Sequence, residues 1–244
     1  MPRILVTGAS TGLGLAAAQA LAEEGHEVVV HARGRDRFPD RSVLERMGGA
    51  VYGDLSRMDE TLAMAGQADR FGRFDAVIHN AGVYRAPGAL QVNTVAPYLL
   101  TAAMAKPRRL IYLSSGYHRS GSTELGSIDF GDSRARPGAY EDSKLYVTTL
   151  AFAVARRWAD TVAHVVDPGW VPTRMGGPGA PDDLEEGHRT QAWLASAPDG
   201  AITPRTGGYW HHRRIARSHP AASDPDFQHE LIERLEAYTG VPLG

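Results

Sequence analysis

The chain has 244 residues, 43% of them apolar and 22% charged, and a formal net charge of -2. That length suits one large α/β domain on a soft prior of about 150 residues per domain, and the near-neutral charge argues against a nucleic-acid partner. It holds no cysteine, which excludes disulfides, thiolate metal ligands and a cysteine nucleophile, and fits a cytoplasmic location. No apolar run approaches the roughly 18 residues of a membrane span. Ile4-Leu5-Val6 is too short for the apolar part of a signal peptide, so the mature protein is expected to begin at its first strand.

Short Val- and Ile-rich runs at 4–6, 28–30, 50–52, 76–79, 110–113 and 162–166 alternate with longer helical stretches. Near-continuous apolarity marks strands buried on both faces, as a parallel sheet requires. Helices are expected at 13–24, stopping at Gly25, at 58–71, stopping at Gly72, and at 92–105, stopping before Pro107. The longest spans 140–159. The alternation predicts a single α/β domain over 1–244, a doubly wound parallel sheet with helices on both faces. Beyond Val166 prolines and glycines crowd together, predicting a loop. A helix at 181–195, a short strand at 209–210 and a last helix at 226–239 follow. We expect 169–212 to form a substrate loop or lid.

Thr7-Gly8-Ala9-Ser10-Thr11-Gly12-Leu13-Gly14 joins the first strand to an alanine-rich helix. Glycines there permit a tight turn and let backbone N–H groups and the helix N-terminus approach a pyrophosphate. The second strand ends His31-Ala32-Arg33, with no carboxylate before Asp36. An acidic residue at that point would bind the ribose hydroxyls of NAD, whereas a guanidinium can pair with a 2′-phosphate, so Arg33 favours NADP(H) over NAD(H). Tyr140 and Lys144 stand four apart, on one face of a helix. A phenol ionises only near pH 10, and a neighbouring ammonium favours its charged form.

Together these motifs resemble the short-chain dehydrogenase/reductase family, and the likeness runs over most of the chain. It implies a Rossmann fold and an oxidoreductase that interconverts a ketone or aldehyde and an alcohol by hydride transfer. Gly8, Ser10, Thr11, Gly12, Leu13 and Gly14 fall on the family's cofactor loop, and Asp54-Leu55 on its adenine-contacting pair. His79-Asn80-Ala81-Gly82 resembles its N-N-A-G, with His in place of the first Asn. Asn93, Ser115, Tyr140 and Lys144 match its catalytic tetrad, with Ser115 preferred to Ser114. Tyr140 would be the general acid, Lys144 its tuner and a ribose ligand, Ser115 a donor to the substrate oxygen, and Asn93 the support of a proton relay. Pro168, Gly169, Val171 and Thr173 resemble the run that holds the nicotinamide.

Two spacings depart from the common pattern: Gly82 and Asn93 are eleven positions apart, and Ser115 and Tyr140 twenty-five. The second, an insertion over 116–136, resembles the retinol-dehydrogenase-like and protochlorophyllide-reductase-like branch, in a bacterial-type member. Tyr117, His118, Trp170, Trp193, Tyr209 and Trp210 are candidates to line a pocket for an apolar or aromatic carbonyl or alcohol. The resemblance also implies a homodimer or homotetramer. A metal site at His211-His212 is rejected, since neighbouring residues on a strand point to opposite faces. The rival reading is a non-catalytic NADPH-binding sensor of the same fold; a non-redox epimerase-like enzyme has little C-terminal room.

Overall fold

The computed structural model describes residues 1–38, 42–84 and 86–244. Seven strands form a parallel sheet: β1 (Arg3–Val6), β2 (Glu27–Ala32), β3 (Gly49–Tyr52), β4 (Ala76–His79), β5 (Arg109–Leu113), β6 (Val162–Asp167) and β7 (Tyr209–His211). The spatial order is β3-β2-β1-β4-β5-β6-β7, and β8 (Arg214–Ile215) adds an antiparallel edge. This is the doubly wound sheet that the alternation predicts. Ile4, Leu5, Val6, Val28, Val29 and Val30 are each 0% exposed, which explains why both strands read as unbroken apolar runs. Burying one such side chain is worth about 1.5–3 kcal/mol.

The helices are α1 (Gly12–Glu23), the short α2 (Ser42–Glu45), α3 (Met58–Asp69), α4 (Ala96–Ala103), α5 (Ala139–Arg157), α6 (Leu184–Ser196) and α7 (Pro225–Thr239). One core layer packs α3, α4, α5 and α7 against the sheet, and a second packs α1 and α6 against its other face. Alanines at 17 and 18 let α1 sit close to the strands, and Gly25, at φ +87, ends it in a conformation that a side chain resists. The sheet reverses its order between β1 and β4, so a crevice opens beyond their carboxyl ends.

One element differs from expectation. The helix predicted from 92 begins instead with a π-helical turn, Gln91–Val95, in which Ala96 N donates to Gln91 O five residues back. The 116–136 insertion is anchored by Leu125, Ile128 and Phe130, buried among α5 and α7 residues. Asp142 on α5 accepts from Ser122 N at 2.7 Å and pairs with Arg136 at 2.8 Å, while Gln91 Nε2 donates to Phe130 O at 2.7 Å. Only the start of the insertion reaches the crevice. No helix among the described residues is long and apolar enough to cross a membrane.

Candidate active site

Three loops meet at the crevice. The turn after β1 and the Asn80-Ala81-Gly82 run after β4 are locked together by Thr7, whose Oγ1 accepts from Asn80 N and Ala81 N, both at 3.0 Å. Asn80 Nδ2 donates to Thr7 O at 2.9 Å. A Cβ on Gly8, at φ +65, would stand 2.7 Å from Ala81 Cα, and one on Gly14 would stand 2.3 Å from Asn80 Nδ2. Both glycines are therefore fixed by close approach as well as by backbone freedom.

The third loop follows β6. Thr173 Cγ2 lies 3.4 Å from where a Gly12 Cβ would be, and Val171, Leu13 and Pro168 converge on Gly187 of α6. Gly8, Gly12, Leu13, Gly14, Asn80, Ala81, Pro168, Val171 and Thr173 thus share one rim, with Ser10 and Thr11 half-buried in the same turn and Gly169 at φ +84. The Gly8 and Ala9 amides are spent on His31, and the α1 N-terminus at Gly12 is the part of this turn that fits a dinucleotide pyrophosphate. Farther along, Arg33 is exposed and acts electrostatically on Asp54, whose carboxyl is held below its usual range. Burial opposes that shift, and Ser56 N–H and hydroxyl bonds, with Arg33, prevail. Leu55 is buried beside it.

Asn93 on the π turn, Ser115 after β5, and Tyr140 and Lys144 on α5 come from three separate segments and gather at the crevice. Asn93 sits on the π turn, where its Oδ1 accepts from Val83 N at 2.8 Å and its Nδ2 donates to Ser143 Oγ at 2.9 Å. Ser143 Oγ in turn donates to Tyr140 O at 2.7 Å. Gly82 adjoins both Asn93 Oδ1 and Lys144 Nζ, at 3.3 and 3.5 Å from the position of a Cβ. Lys144 Nζ lies 5.6 Å from the Tyr140 ring centre and donates to Leu113 O at 2.8 Å. Burial draws the Lys144 ammonium down to about 8, against the pull of Asp167. Burial also pushes the Tyr140 phenol up to about 12, although a hydrogen bond with Ser115 opposes it. The two serines differ in their surroundings: Ser114 Oγ is buried against Thr148 and Lys144 O, while Ser115 turns to Tyr140.

Of the proposed substrate residues, Tyr117 stands 6.2 Å from the Tyr140 ring in an edge-on arrangement. His118 and Tyr209 are buried beneath, stacked at 4.6 Å, with His118 Nδ1 2.7 Å from Ser115 O. Trp170 is 60% exposed, its indole N–H donating to Gly176 O within the loop. Trp193 and Trp210 are not brought to this cluster. They contact each other in the α1/α6 layer, because residues adjacent on β7 face opposite sides of the sheet and only Tyr209 takes the α5 side. His211 and His212 do not diverge as neighbours on a strand would. His212 lies past the strand at φ 46, and the two rings stack at 3.9 Å instead of diverging. Among the described residues no group of three or more His, Asp or Glu side chains could hold a metal.

Two residues absent from the sequence-based site join it. Tyr84 packs edge-on to Tyr140 at 4.7 Å and lies 6.2 Å from Tyr117. Asp167, at the end of β6, raises the Tyr140 phenol and supports the Lys144 charge. It stands within the D-P-G-W-V run, so an acidic residue beside the motif was the available signal; Tyr84 had none.

The short chain dehydrogenase model matches residues 2–107. The chain is 38% identical to an uncharacterised oxidoreductase of Emericella nidulans, over 99% of this chain and 98% of that protein. It is 31% identical to a Streptomyces sp. protein provisionally assigned as a daunorubicin C-13 ketoreductase, over 97% and 92% respectively. Among solved structures, an uncharacterised protein from Mycobacterium paratuberculosis superposes with a TM-score of 0.82 at 21% identity, covering 100% of this chain and 95% of that one.

Proposed function

The chain belongs to the short-chain dehydrogenase family, and on that footing we propose that it is an NADP(H)-dependent ketone or aldehyde reductase, working reversibly on the alcohol, with Tyr140 as general acid and base. The observation that carries the reading is the convergence of Asn93, Ser115, Tyr140 and Lys144 beside the glycine-lined cradle. NADPH bound there would supply a hydride to the carbonyl carbon. The α1 N-terminus at Gly12 would receive the pyrophosphate, Arg33 would pair with the 2′-phosphate, and Val171 and Thr173 would hold the nicotinamide end.

Tyr140 keeps its proton at neutral pH, with the phenol pushed up to about 12, and can pass it to the carbonyl oxygen. Ser115 donates to the same oxygen as charge develops there. Asn93 and Ser143 fix the first turn of α5 and so the phenol's position. Tyr84 and Tyr117 extend the apolar side of the site, which favours an aromatic or otherwise flat carbonyl. The length of the 116–136 insertion supports a place near the retinol-dehydrogenase-like branch.

The test is NADPH oxidation, followed spectrophotometrically against ketones, aldehydes and quinones. Wild type is expected to turn over with NADPH preferred, and Tyr140→Phe to lose about 10²–10⁴-fold in turnover while still binding NADPH. Arg33→Asp is expected to weaken NADPH far more than NADH. Binding of NADPH with no turnover of any carbonyl would favour the sensor reading.

A further inference from the structure

His31 is a buried imidazole at the end of β2, 2% exposed, and lies outside the catalytic cluster. Both ring nitrogens are used. Gly8 N, in the glycine turn, donates to Nδ1 at 3.1 Å, so Nδ1 carries no proton. Nε2, 2.9 Å from Gly53 O, therefore holds the ring proton and donates it. The main chain adds a third tie, since Ala9 N donates to His31 O at 2.9 Å. One residue thus grips two successive amides of the glycine turn and the carbonyl that leads into Asp54-Leu55.

We propose that His31 is a positioning residue for the dinucleotide: its neutral ring, in the Nε2–H tautomer, spans the two loops of the cofactor cradle and sets their separation. The proposal rests on the dinucleotide reading of that cradle. The glycine turn faces the pyrophosphate and the 53–55 loop the adenine, so a rigid strut between them preorganises both ends of one extended ligand. An imidazole suits the task because its acceptor and donor lie on opposite edges of a flat ring. A second proton would turn Nδ1 into a donor facing the Gly8 N–H, breaking that bond and setting two donors against each other.

The surroundings keep the ring neutral. Burial lowers the His31 pKa, the bond to Gly53 and the Asp54 carboxylate oppose this, and the Arg33 guanidinium reinforces it. Those are the charged groups acting on the ring, Arg33 from the exit of its own strand and Asp54 from the loop after β3. Protonation of His31 is therefore expected only on acidification, and to weaken cofactor binding when it occurs.

The experiment measures NADPH Kd by fluorescence titration at pH 7.5 for wild type, His31→Leu and His31→Gln, with 15N shifts of the apo imidazole as an independent readout. The expected results are an Nε2–H tautomer in the apo protein and a Kd about tenfold higher in His31→Leu, partly restored in His31→Gln, which can offer both an acceptor and a donor. An Nδ1–H tautomer, or a folded His31→Leu with wild-type Kd, would overturn the proposal. Should His31→Leu not fold, the tautomer decides it. Failure of wild type to bind any dinucleotide would instead refute the cofactor reading itself.

Discussion

At Lys144 two demands compete. Its ammonium is anchored on Leu113 O and sits beside the Tyr140 ring, yet burial draws its pKa down to about 8, with Asp167 resisting. The charged form is present below that pH and is lost above it. Carbonyl reduction that relies on the ammonium is expected to decline as the pH rises through about 8. Lys144→Arg, whose guanidinium does not titrate, should lack this alkaline limb even if its rate is lower at every pH. A pH–kcat/KM profile of both proteins checks it, and a limb of the same midpoint in the arginine variant would assign the titration to another group. Tyr140 and Lys144 were legible as a pair because four residues of helix is a fixed distance. Ser115 and Asn93 entered only through the family pattern. Tyr84 was not legible: it reaches Tyr140 on α5 from a loop, and loop geometry leaves no periodic trace.

The elements follow the same division. Apolar β1 and β2 and the glycine stops of α1 and α3 appear in the sequence because burial on two faces and φ > 0 each restrict residue type strongly. The π turn at Gln91–Val95 does not, since one extra residue in a helical turn barely disturbs the apolar pattern. The loop before α6 is another case. It was expected as a lid, and it is closed at its neck by Asp182 N donating to Trp170 O at 3.0 Å. Immediately beyond, Asp183 caps α6, its Oδ1 accepting from Glu185 N at 2.6 Å and Glu186 N at 3.1 Å. Asp183→Ala is expected to cost about 1 kcal/mol, lowering Tm by about 2–4 °C. Hydrogen exchange at the Glu185 and Glu186 amides should speed up selectively, and unchanged exchange there would show that the cap does not hold the helix.

Across the whole molecule the histidines carry a shared consequence. His31, His79, His118 and His164 are each driven down in pKa, in every case first by burial. His79, at about 3, is the extreme: it stands where the family motif has asparagine, and its ring stacks on Tyr112 at 4.7 Å inside the core. Folded, it stays neutral until the pH nears 3, whereas in the unfolded chain it takes up a proton near its ordinary 6.5. Between those values the unfolded state binds the extra proton, so stability falls as pH falls, by up to about 1.4 kcal/mol per pH unit for each such group. Above 6.5 neither state is protonated and the group adds no slope. His79→Asn gives up the stack on Tyr112 and should be less stable than wild type at pH 7.5. Its stability should nonetheless fall less steeply on acidification, so the gap narrows by about 1.4 kcal/mol at pH 5.5. Urea unfolding of both proteins at the two pH values measures that gap. A gap of constant size would mean that the imidazole at 79 is protonated equally in the folded and unfolded chains.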